Sequence, residues 1–514
     1  MNRLLVPVLI AAALAWLPVS TSAAEPQNPT PTSGSERVKL YGEARLRFDA
    51  LTEFGNHQRP WWLSSRLLIG TLLKPTDGLE IAIELEGLNG QFAGPTTPLG
   101  SVGLERPFRV SRSDIRQLEW FFPRRAALSI LKPKGRFSIG LQTFEWGSGM
   151  LSNDGVGDPL FGDARQGGVV ARVGGTLTPW AADKSAGAAR GLIFVVAGDL
   201  VFRDDNAHLL RGDLAFQGLG AALLKTPKGS LGLFATARYQ RDREDPYHPA
   251  EQRPWLFAVP VDLYGKLRLS PPNSPTSFHL ESELAVIFGR TTRAYGEETY
   301  QGSSILSFGG LLRAHLQHEP AGINARLDLG YASGDADPRD AVSRTFSMNS
   351  DHEVGLLLFE HVLPLVQASA IDRAADPELS GTPSSGLRHG VPQGGVHNAA
   401  YLYPSLQWRP IPAIDLRFGG LLAWAPAAVI DVYESARKGG YNTGFDGQTA
   451  DARFYGGEVL AAFRGTIPLR GSLSLQLGVE GAVFLPGSVF DGLHDDGGRL
   501  PQLGTLRARA DLRW

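Results

Sequence analysis

The sequence predicts an all-β fold: a transmembrane antiparallel β-barrel of about eighteen strands, with short periplasmic turns and long extracellular loops. Three observations predict it: an export signal, strand-length segments of alternating polarity, and connections that alternate between short and long. The composition agrees, because 20% charged and 43% hydrophobic residues are too polar for a helical membrane bundle and too apolar for a disordered chain. A net charge of -2 gives no field to attract nucleic acid, and the absence of cysteine excludes disulfides and thiolate metal sites.

The N-terminus predicts export. Arg3 precedes an apolar stretch at 4–19, and small residues follow at 21–24, as in a secretory signal peptide. A membrane anchor would need about 20 apolar residues, and this stretch is shorter and contains two prolines. We therefore expect three segments: a signal peptide at 1–24, a flexible mature N-terminus at 25–36, and the barrel at 37–514.

Alternating polarity predicts the strands. Residues 38–50 carry apolar side chains on one face and Tyr41, Glu43, Arg45, Arg47 and Asp49 on the other. Strands of soluble sandwiches usually have about five or six residues, whereas a tilted strand needs about 9–11 to cross a bilayer. The candidate strands have the greater length; they are 38–50, 62–74, 79–91, 112–122, 136–146, 166–178, 190–203, 212–225, 230–240, 255–270, 277–290, 302–317, 322–332, 398–409, 414–425, 452–466, 472–485 and 503–514.

The connections give an independent indication. Short turns rich in Pro and Gly alternate with long polar stretches, and outer-membrane barrels separate their periplasmic and extracellular connections by length in this way. The short turns are 74–78, 132–135, 226–229, 271–276, 318–321 and 410–413. The long stretches are 51–61, 92–112, 147–165, 241–254, 291–301, 426–451 and 486–502.

The apolar stretch 354–366 is the one ambiguous segment. Counting it as a strand would place the short 410–413 turn outside the cell and the long 426–451 loop inside, and its apolar spacing is closer to that of a helix. We therefore expect one long external loop at 334–397, with a short helix or folded segment at 353–369. A barrel of this size leaves an aqueous lumen, so this loop is the predicted constriction.

The last strand predicts how the barrel is inserted. Apolar residues at 506–514 alternate with charged ones and end at Trp514, which resembles the C-terminal strand by which outer-membrane proteins are recognised, although the usual last residue there is Phe. We expect outer-membrane lipid and the barrel-insertion machinery as partners, in the outer membrane of a Gram-negative bacterium. Aromatic residues near strand ends suit interfacial girdles, with core packing as the alternative; they include Trp61, Trp62, Trp120, Trp408 and Trp424.

Several phrases resemble a known family. The segments 140–155, 330–335, 346–358, 395–401 and 485–487 are similar to those of an uncharacterised family of myxobacterial-type outer-membrane barrels. More distantly, the chain resembles alginate-export and other porin-like barrels. The resemblance implies fold and location, and it carries no substrate or residue role to this chain.

Charged inward positions are the candidate lumen residues. Closing the sheet brings the last, first and second strands together and predicts a basic stripe, with acidic positions on the third strand and on the far wall. The stripe and the acids could form a transverse field that selects ions, or neighbouring Arg and Glu could pair to stiffen the wall. The basic candidates are Arg45, Arg47, Arg66, Arg507, Arg509 and Arg513, and the acidic candidates are Glu80, Glu84, Glu86, Glu281 and Glu283.

Motifs for catalysis are missing from the sequence. It contains no Gly-x-Ser-x-Gly, no His-Glu-x-x-His and no phosphate loop. The acidic loops at 334–340 and 491–496 could hold calcium, but Arg339 stands where a ligand is needed and no Glu closes the site. We therefore expect no enzyme activity, no cofactor and no metal.

These observations together predict a transport function. The chain is expected to be an outer-membrane channel for passive passage of a hydrophilic solute or polymer, such as a small molecule or a polysaccharide. Two alternatives stay open: a plugged barrel with a structural or surface-binding role, and a barrel hydrolase with a Ser/His site at its rim.

Overall fold

The computed structural model describes residues 37–52, 61–94, 119–164, 167–243, 253–271, 274–293, 302–338, 340–380, 395–493 and 497–514. Its strands form a single sheet that closes on itself, because the first strand, Val38–Leu51, pairs antiparallel with both the second strand, Trp61–Thr76, and the last strand, Leu503–Arg513. Eighteen antiparallel strands make the barrel, as predicted, and a two-residue strand, β14, pairs parallel with β12 beside it. The predicted signal peptide at 1–24 and mature N-terminus at 25–36 lie outside the described residues.

The strand bounds follow the predicted segments closely. The strands are β1 Val38–Leu51, β2 Trp61–Thr76, β3 Leu79–Ala93, β4 Glu119–Lys132, β5 Gly135–Thr143, β6 Val169–Leu177, β7 Leu192–Arg203, β8 Leu214–Thr226, β9 Gly229–Arg241, β10 Trp255–Arg268, β11 Thr276–Thr291, β12 Ser303–His318, β13 Ile323–Ala332, β14 Val342–Ser343, β15 Ala399–Ile411, β16 Ile414–Trp424, β17 Phe454–Pro468, β18 Ser474–Pro486 and β19 Leu503–Arg513.

Helical segments are confined to the connections. A π-helical turn at Leu358–Val362 leads directly into α1 at Leu363–Ala375, and α2 at Pro377–Ser380 and α3 at Val432–Arg437 follow. Short 3-10 helices occupy Lys184–Gly191, Leu209–Arg211, Glu319–Ala321 and Ser488–Phe490. Across the described ranges, none of the helices has the length and apolar character needed to cross a membrane.

The two faces of the sheet differ as the alternation predicts. On β1, Leu46 is 45% exposed on the outside, whereas Arg47 next to it is 2% exposed on the inside. The same contrast separates Leu284 from Glu283 on β11. A closed barrel leaves no open sheet edge, and an apolar outer face suits lipid, so these features place the chain in the outer membrane of a Gram-negative bacterium.

The lengths of the connections also separate by side. The turns after β2, β4, β8, β12 and β15 are short and lie at the end of the barrel where β1 begins and β19 ends, and the long connections lie at the opposite end. The 178–191 connection after β6 is the longest at the short end and contains a 3-10 helix.

The fourth strand differs from its prediction. It was expected at 112–122 and is observed at Glu119–Lys132, while 112–118 lie outside the described part. The observed strand continues past Pro123. The ladder with β3 shifts register between Glu84 and Leu85, and the extra residue Arg124 forms a bulge beside the proline, which has no N–H to pair.

Only one of the paired tryptophans at the start of β2 can face lipid. Trp61 is 43% exposed, whereas Trp62 is 5% exposed and points inward, where its ring lies 5.6 Å from that of His361. The girdle interpretation is therefore wrong for Trp62, since adjacent strand residues face opposite sides. Trp120, Trp408 and Trp424 are exposed on the outer face.

Two connections enter the lumen. We call residues 358–375 the inner helix and residues 144–168 the crossing loop. Residues 165 and 166 of the crossing loop are not described. The inner helix packs in an apolar cluster with inward side chains of the wall, among them Tyr401, Leu421, Tyr455 and Phe484. The crossing loop contributes Met150 and Phe161 to the same cluster. The sequence predicted an inward segment at 353–369 and placed 147–165 among the long external connections. The second connection does leave the barrel at the long-loop end, but it folds into the lumen, which the sequence did not predict.

Candidate functional site

The crossing loop is fastened to the wall at Asp158. Its carboxylate contacts three arginines from three strands: Arg417 at 3.3 Å, Arg509 at 3.0 Å, and Arg464. Burial alone would raise the pKa of Asp158, but the guanidinium groups hold that pKa well below its usual range. Arg417 also donates to the backbone carbonyl of Leu160 at 2.8 Å. One carboxylate therefore joins the loop to β16, β17 and β19.

A second fastening lies at the seam of the barrel. Asp163 of the crossing loop pairs with Arg45 and, at 3.2 Å, with Arg47, both on β1. Arg66 on β2 donates to the backbone carbonyls of Gly155 and Ala164, each at 3.3 Å. The predicted basic stripe therefore holds the crossing loop, where the sequence suggested that it could line open water.

The remaining predicted charges pair with their neighbours. Arg507 reaches Asp49, Glu480 and Glu360, the last on the inner helix. The other close pairs are Arg66–Glu86 at 2.9 Å, Arg124–Glu84 at 2.9 Å, Arg136–Glu80 at 2.8 Å and Arg513–Glu43 at 3.6 Å. This geometry matches the second interpretation, in which Arg and Glu pair along the wall; the ion selectivity of the lumen stays a prediction.

The inner helix is held at its start by a wall carboxylate. Glu458 on β17 accepts backbone N–H bonds from Leu356 at 2.6 Å, Leu357 at 3.1 Å and Leu358 at 3.2 Å. The first N–H groups of a helix have no partner within it, and a carboxylate there also favours the helix dipole. Glu458 therefore fixes where the inner helix begins against the wall.

The far wall holds the other end of the crossing loop. Ser148 donates its hydroxyl to Glu283 on β11 at 2.6 Å, and the Trp146 indole N–H donates to Asp262 on β10 at 2.9 Å. Glu281 accepts the Tyr264 hydroxyl at 2.8 Å and lies 3.5 Å from the guanidinium of Arg313. Both predicted far-wall acids thus face inward, with Glu283 in contact with the loop.

Glu145 is an exposed carboxylate at the start of the crossing loop. Its side chain is exposed, and it forms no ion pair with any of the described residues. Partial removal from water raises its pKa to about 7, with added repulsion from Asp154, Glu283 and Glu281. At Glu145 the lumen therefore presents an acid whose charge changes near neutral pH.

Several site residues were missed from the sequence. Arg417 and Arg464 lie at inward positions of correctly predicted strands, so alternation could have identified them. Arg124 was missed because the predicted strand ended at residue 122. Asp158 and Asp163 were missed because the crossing loop was assigned to the outside.

Metal binding by acidic side chains is the other chemistry that the sequence raised. They contain no group of three or more His, Asp or Glu side chains placed to hold a metal ion. In the acidic stretch after β13, Asp335 and Asp340 both interact with Arg344, and Arg339 is not described. In the second acidic loop, residues 494–496 are likewise not described.

Comparison with known proteins gives structural likeness alone. No family model and no curated protein matches the sequence. The chain resembles the solved structure of OccK8 (OprE) of Pseudomonas aeruginosa, with 10% identity, 93% of this chain and 98% of that chain covered, and a TM-score of 0.48. It resembles a BenF-like porin of Pseudomonas fluorescens Pf-5 with 8% identity, coverages of 93% and 98%, and a TM-score of 0.47. It resembles OccAB1 of Acinetobacter baumannii with 10% identity, coverages of 92% and 96%, and a TM-score of 0.47. At these levels no residue role is carried over, and the fold rests on the strand pairing of this chain.

Proposed function

We propose that the chain is an outer-membrane channel that passes a small hydrophilic solute passively, along a narrow path between the crossing loop and the far wall. The observation that carries the proposal is Glu145, an exposed and unpaired carboxylate inside a barrel whose neighbouring arginines are paired. An ionisable side chain without a partner is stable inside a barrel when water reaches it. Water at Glu145 gives a solute path at the same place.

The proposed path carries negative charge. The seam arginines are neutralised by Asp158, Asp163 and wall carboxylates, whereas Glu145 contributes a negative charge that no described arginine neutralises. Charged side chains that line a pore bias which ions enter it. We therefore expect a preference for cations, in place of the anion preference that an open basic stripe would give.

Cysteine accessibility tests the path, because the chain has no cysteine of its own. Glu145→Cys should form conducting channels whose current falls when a bulky, water-soluble thiol reagent is added. Asp451→Cys, on an exposed part of the 425–453 connection, is the matched control and should be labelled without loss of current. Labelling of Glu145→Cys with unchanged current would contradict the path.

A plugged barrel is the second candidate. The apolar cluster between the inner helix and β15–β18 fills part of the lumen. A plugged barrel with a structural or surface-binding role would give no steady current in planar bilayers, whereas the proposed channel gives a small one.

The remaining expectations are narrower. Two segments within the lumen favour a small solute over a polymer, so the resemblance to alginate-export barrels and to the myxobacterial-type family does not supply the solute. The hydrolase alternative would require a serine hydroxyl that is paired with a histidine. The hydroxyl of Ser148, in the crossing loop, donates to Glu283 instead. An assay for lipid or ester turnover by the purified barrel tests that alternative directly.

A further inference from the structure

A cavity of about 240 Å³ lies among the connections at the long-loop end of the barrel. It is a partly open cavity bordered by Arg293 after β11, the start of β12, the chain after β13, α1, the residues before β15 and the 425–453 connection. The crossing loop and its arginines contribute nothing to its lining. The cavity is therefore a separate feature from the proposed solute path.

Three residues that line this cavity each carry a buried polar atom with no hydrogen-bond partner. The atoms are the Ser303 hydroxyl oxygen, the Gln367 side-chain carbonyl oxygen and Nε2 of His397. Ser303 is 1% exposed and His397 is 6% exposed. Buried polar atoms in native proteins are nearly always paired, so three unpaired atoms around one cavity mark a place that a polar guest would occupy.

The hydrogen-bonding roles of these atoms define the guest. His397 Nδ1 lies 3.1 Å from the Gly395 carbonyl, an acceptor, so Nδ1 carries the ring proton and Nε2 accepts. Burial lowers the pKa of His397, which keeps the ring neutral. The Gln367 oxygen also accepts, and the Ser303 hydroxyl can donate or accept. The guest must therefore supply at least two donated hydrogen bonds.

Charges near the cavity are already matched. Arg293 pairs with Asp242 at 2.6 Å, and Asp340 pairs with Arg344 at 2.8 Å. Asp335 accepts the backbone N–H of Arg344 at 2.9 Å. A charged guest would lose its hydration without gaining a free countercharge, so the lining favours a neutral one.

The rest of the lining is aliphatic and the space is small. Ala370, Ile371, Val429 and Ile430 offer a surface for C–H groups. The volume lies below the roughly 300–1,000 Å³ of pockets for drug-sized ligands. This lining fits a single small ring that has hydroxyl groups on one side and C–H groups on the other, and a sugar ring has that arrangement.

We propose that this cavity binds a small neutral polyol, such as one sugar ring, whose hydroxyls donate to His397 Nε2 and Gln367 and exchange a hydrogen bond with Ser303. The occupant that competes with it is water, which could also satisfy the three atoms. Binding at this site does not depend on conduction through the barrel, so it stands or falls independently of the proposed function.

Binding of D-glucose to the full-length barrel tests the proposal. The barrel is purified in a detergent without a sugar headgroup, and binding is followed by saturation-transfer NMR, with protonated glucosamine and gluconate as charged analogues. We expect saturable binding of glucose and weaker binding of both analogues. No saturable glucose binding, or tighter binding of either analogue, would overturn the proposal.

Two variants locate the site. Ser303→Ala and Gln367→Leu should each weaken glucose binding by about two- to tenfold, the effect of one hydrogen bond. Ser304→Ala is the matched control, because Ser304 is the next residue on β12 and is exposed on the opposite face. A gel-mobility shift on heating confirms that each barrel is folded. Unchanged binding in both cavity variants, or an equal loss in Ser304→Ala, would show that glucose binds elsewhere.

Discussion

At the scale of single residues, charge pairing explains why a wet lumen contains so many arginines. Arg45, Arg47 and Arg509 each reach a carboxylate of the crossing loop, and Arg507 reaches one on the inner helix. A charge inside a barrel is stable when it is paired or solvated. The arginines therefore position the two inward segments.

Asp158 is the clearest single test of this fastening. Asp158→Asn should destabilise the barrel by roughly 1.5–3 kcal/mol, the range for hydrogen bonds to charged groups, because three arginines lose their shared carboxylate. The temperature at which the heated barrel loses its gel-mobility shift measures the change. Asp451→Asn, on the exposed 425–453 connection, is the control and should leave that temperature unchanged.

The effect of Asp158 should also depend on pH in one direction. A carboxyl group whose folded-state pKa is depressed contributes stability that is complete above its ordinary pKa of 3.8 and is lost as pH falls through the folded value. The difference between wild type and Asp158→Asn should thus be constant at neutral pH and shrink only below pH 3.8. A difference that disappears near pH 6 would assign the effect to another group.

Glu145 should make ion selectivity depend on pH. Its pKa of about 7 means that it is mainly protonated below that pH and mainly ionised above it. Cation preference, measured from reversal potentials in a salt gradient, should therefore rise between about pH 6 and pH 8. Glu145→Gln should show little pH dependence over that interval. An equal rise in the variant would remove Glu145 from the path.

The sequence predicted the face on which a residue lies where the alternation of polar and apolar residues was unbroken. Glu84, Glu283 and Arg509 were placed on inward faces, where the structure has them. Arg124 was not placed because the predicted strand ended at residue 122, and the extra residue in β4 moves the side chains that follow it to the other face. Partners in loops were beyond prediction, because alternation carries no information about where a loop folds.

At the scale of secondary-structure elements, the inner helix depends on an acceptor supplied by the wall. Glu458→Leu would leave the N–H groups of Leu356, Leu357 and Leu358 buried without partners, at a cost of about 1–3 kcal/mol for each unpaired group. The helix should loosen from β17 and become a site of limited proteolysis. Glu458→Gln keeps one acceptor oxygen and should be cut more slowly. Equal cutting of wild type and Glu458→Leu would contradict this role.

The last strand closes the barrel and is the predicted signal for insertion. Trp514 exchanges two backbone hydrogen bonds of 3.1 Å with Gly42, and β19 pairs along its length with β1 and β18. Deleting residues 511–514 should leave the chain unassembled and degraded in the periplasm, as seen by loss of the heat-modifiable form. Equal amounts of folded barrel from truncated and intact chains would show that the signal lies elsewhere.

The elements show where sequence patterns lose their predictive power. The strands follow from local alternation, and the inner segment follows from an apolar stretch that needs a place to pack. The crossing loop is polar and rich in glycine, as an external loop would be, and enters the lumen because its carboxylates meet arginines on β1, β16, β17 and β19. Those contacts join residues far apart in the chain, which no local pattern records.

At the scale of the whole molecule, the barrel combines a sheet fixed by alternation with a lumen narrowed by two inward segments. The strand number and the separation of short from long connections were predictable, because both follow from local repeats in the sequence. The contents of the lumen were only partly predictable, because they depend on which distant charges meet. The central claim is that water still passes beside these segments.

Single-channel recording in planar bilayers, comparing the full-length barrel with a variant that lacks residues 340–394, tests this claim most directly. The deletion removes the inner helix and leaves a short connection between β13 and β15, which are adjacent in the sheet. Heat-modifiability on gels confirms that both barrels are folded. The account predicts a small conductance for the intact barrel and a larger one for the variant. No current from the intact barrel, or the same conductance from both, would contradict it.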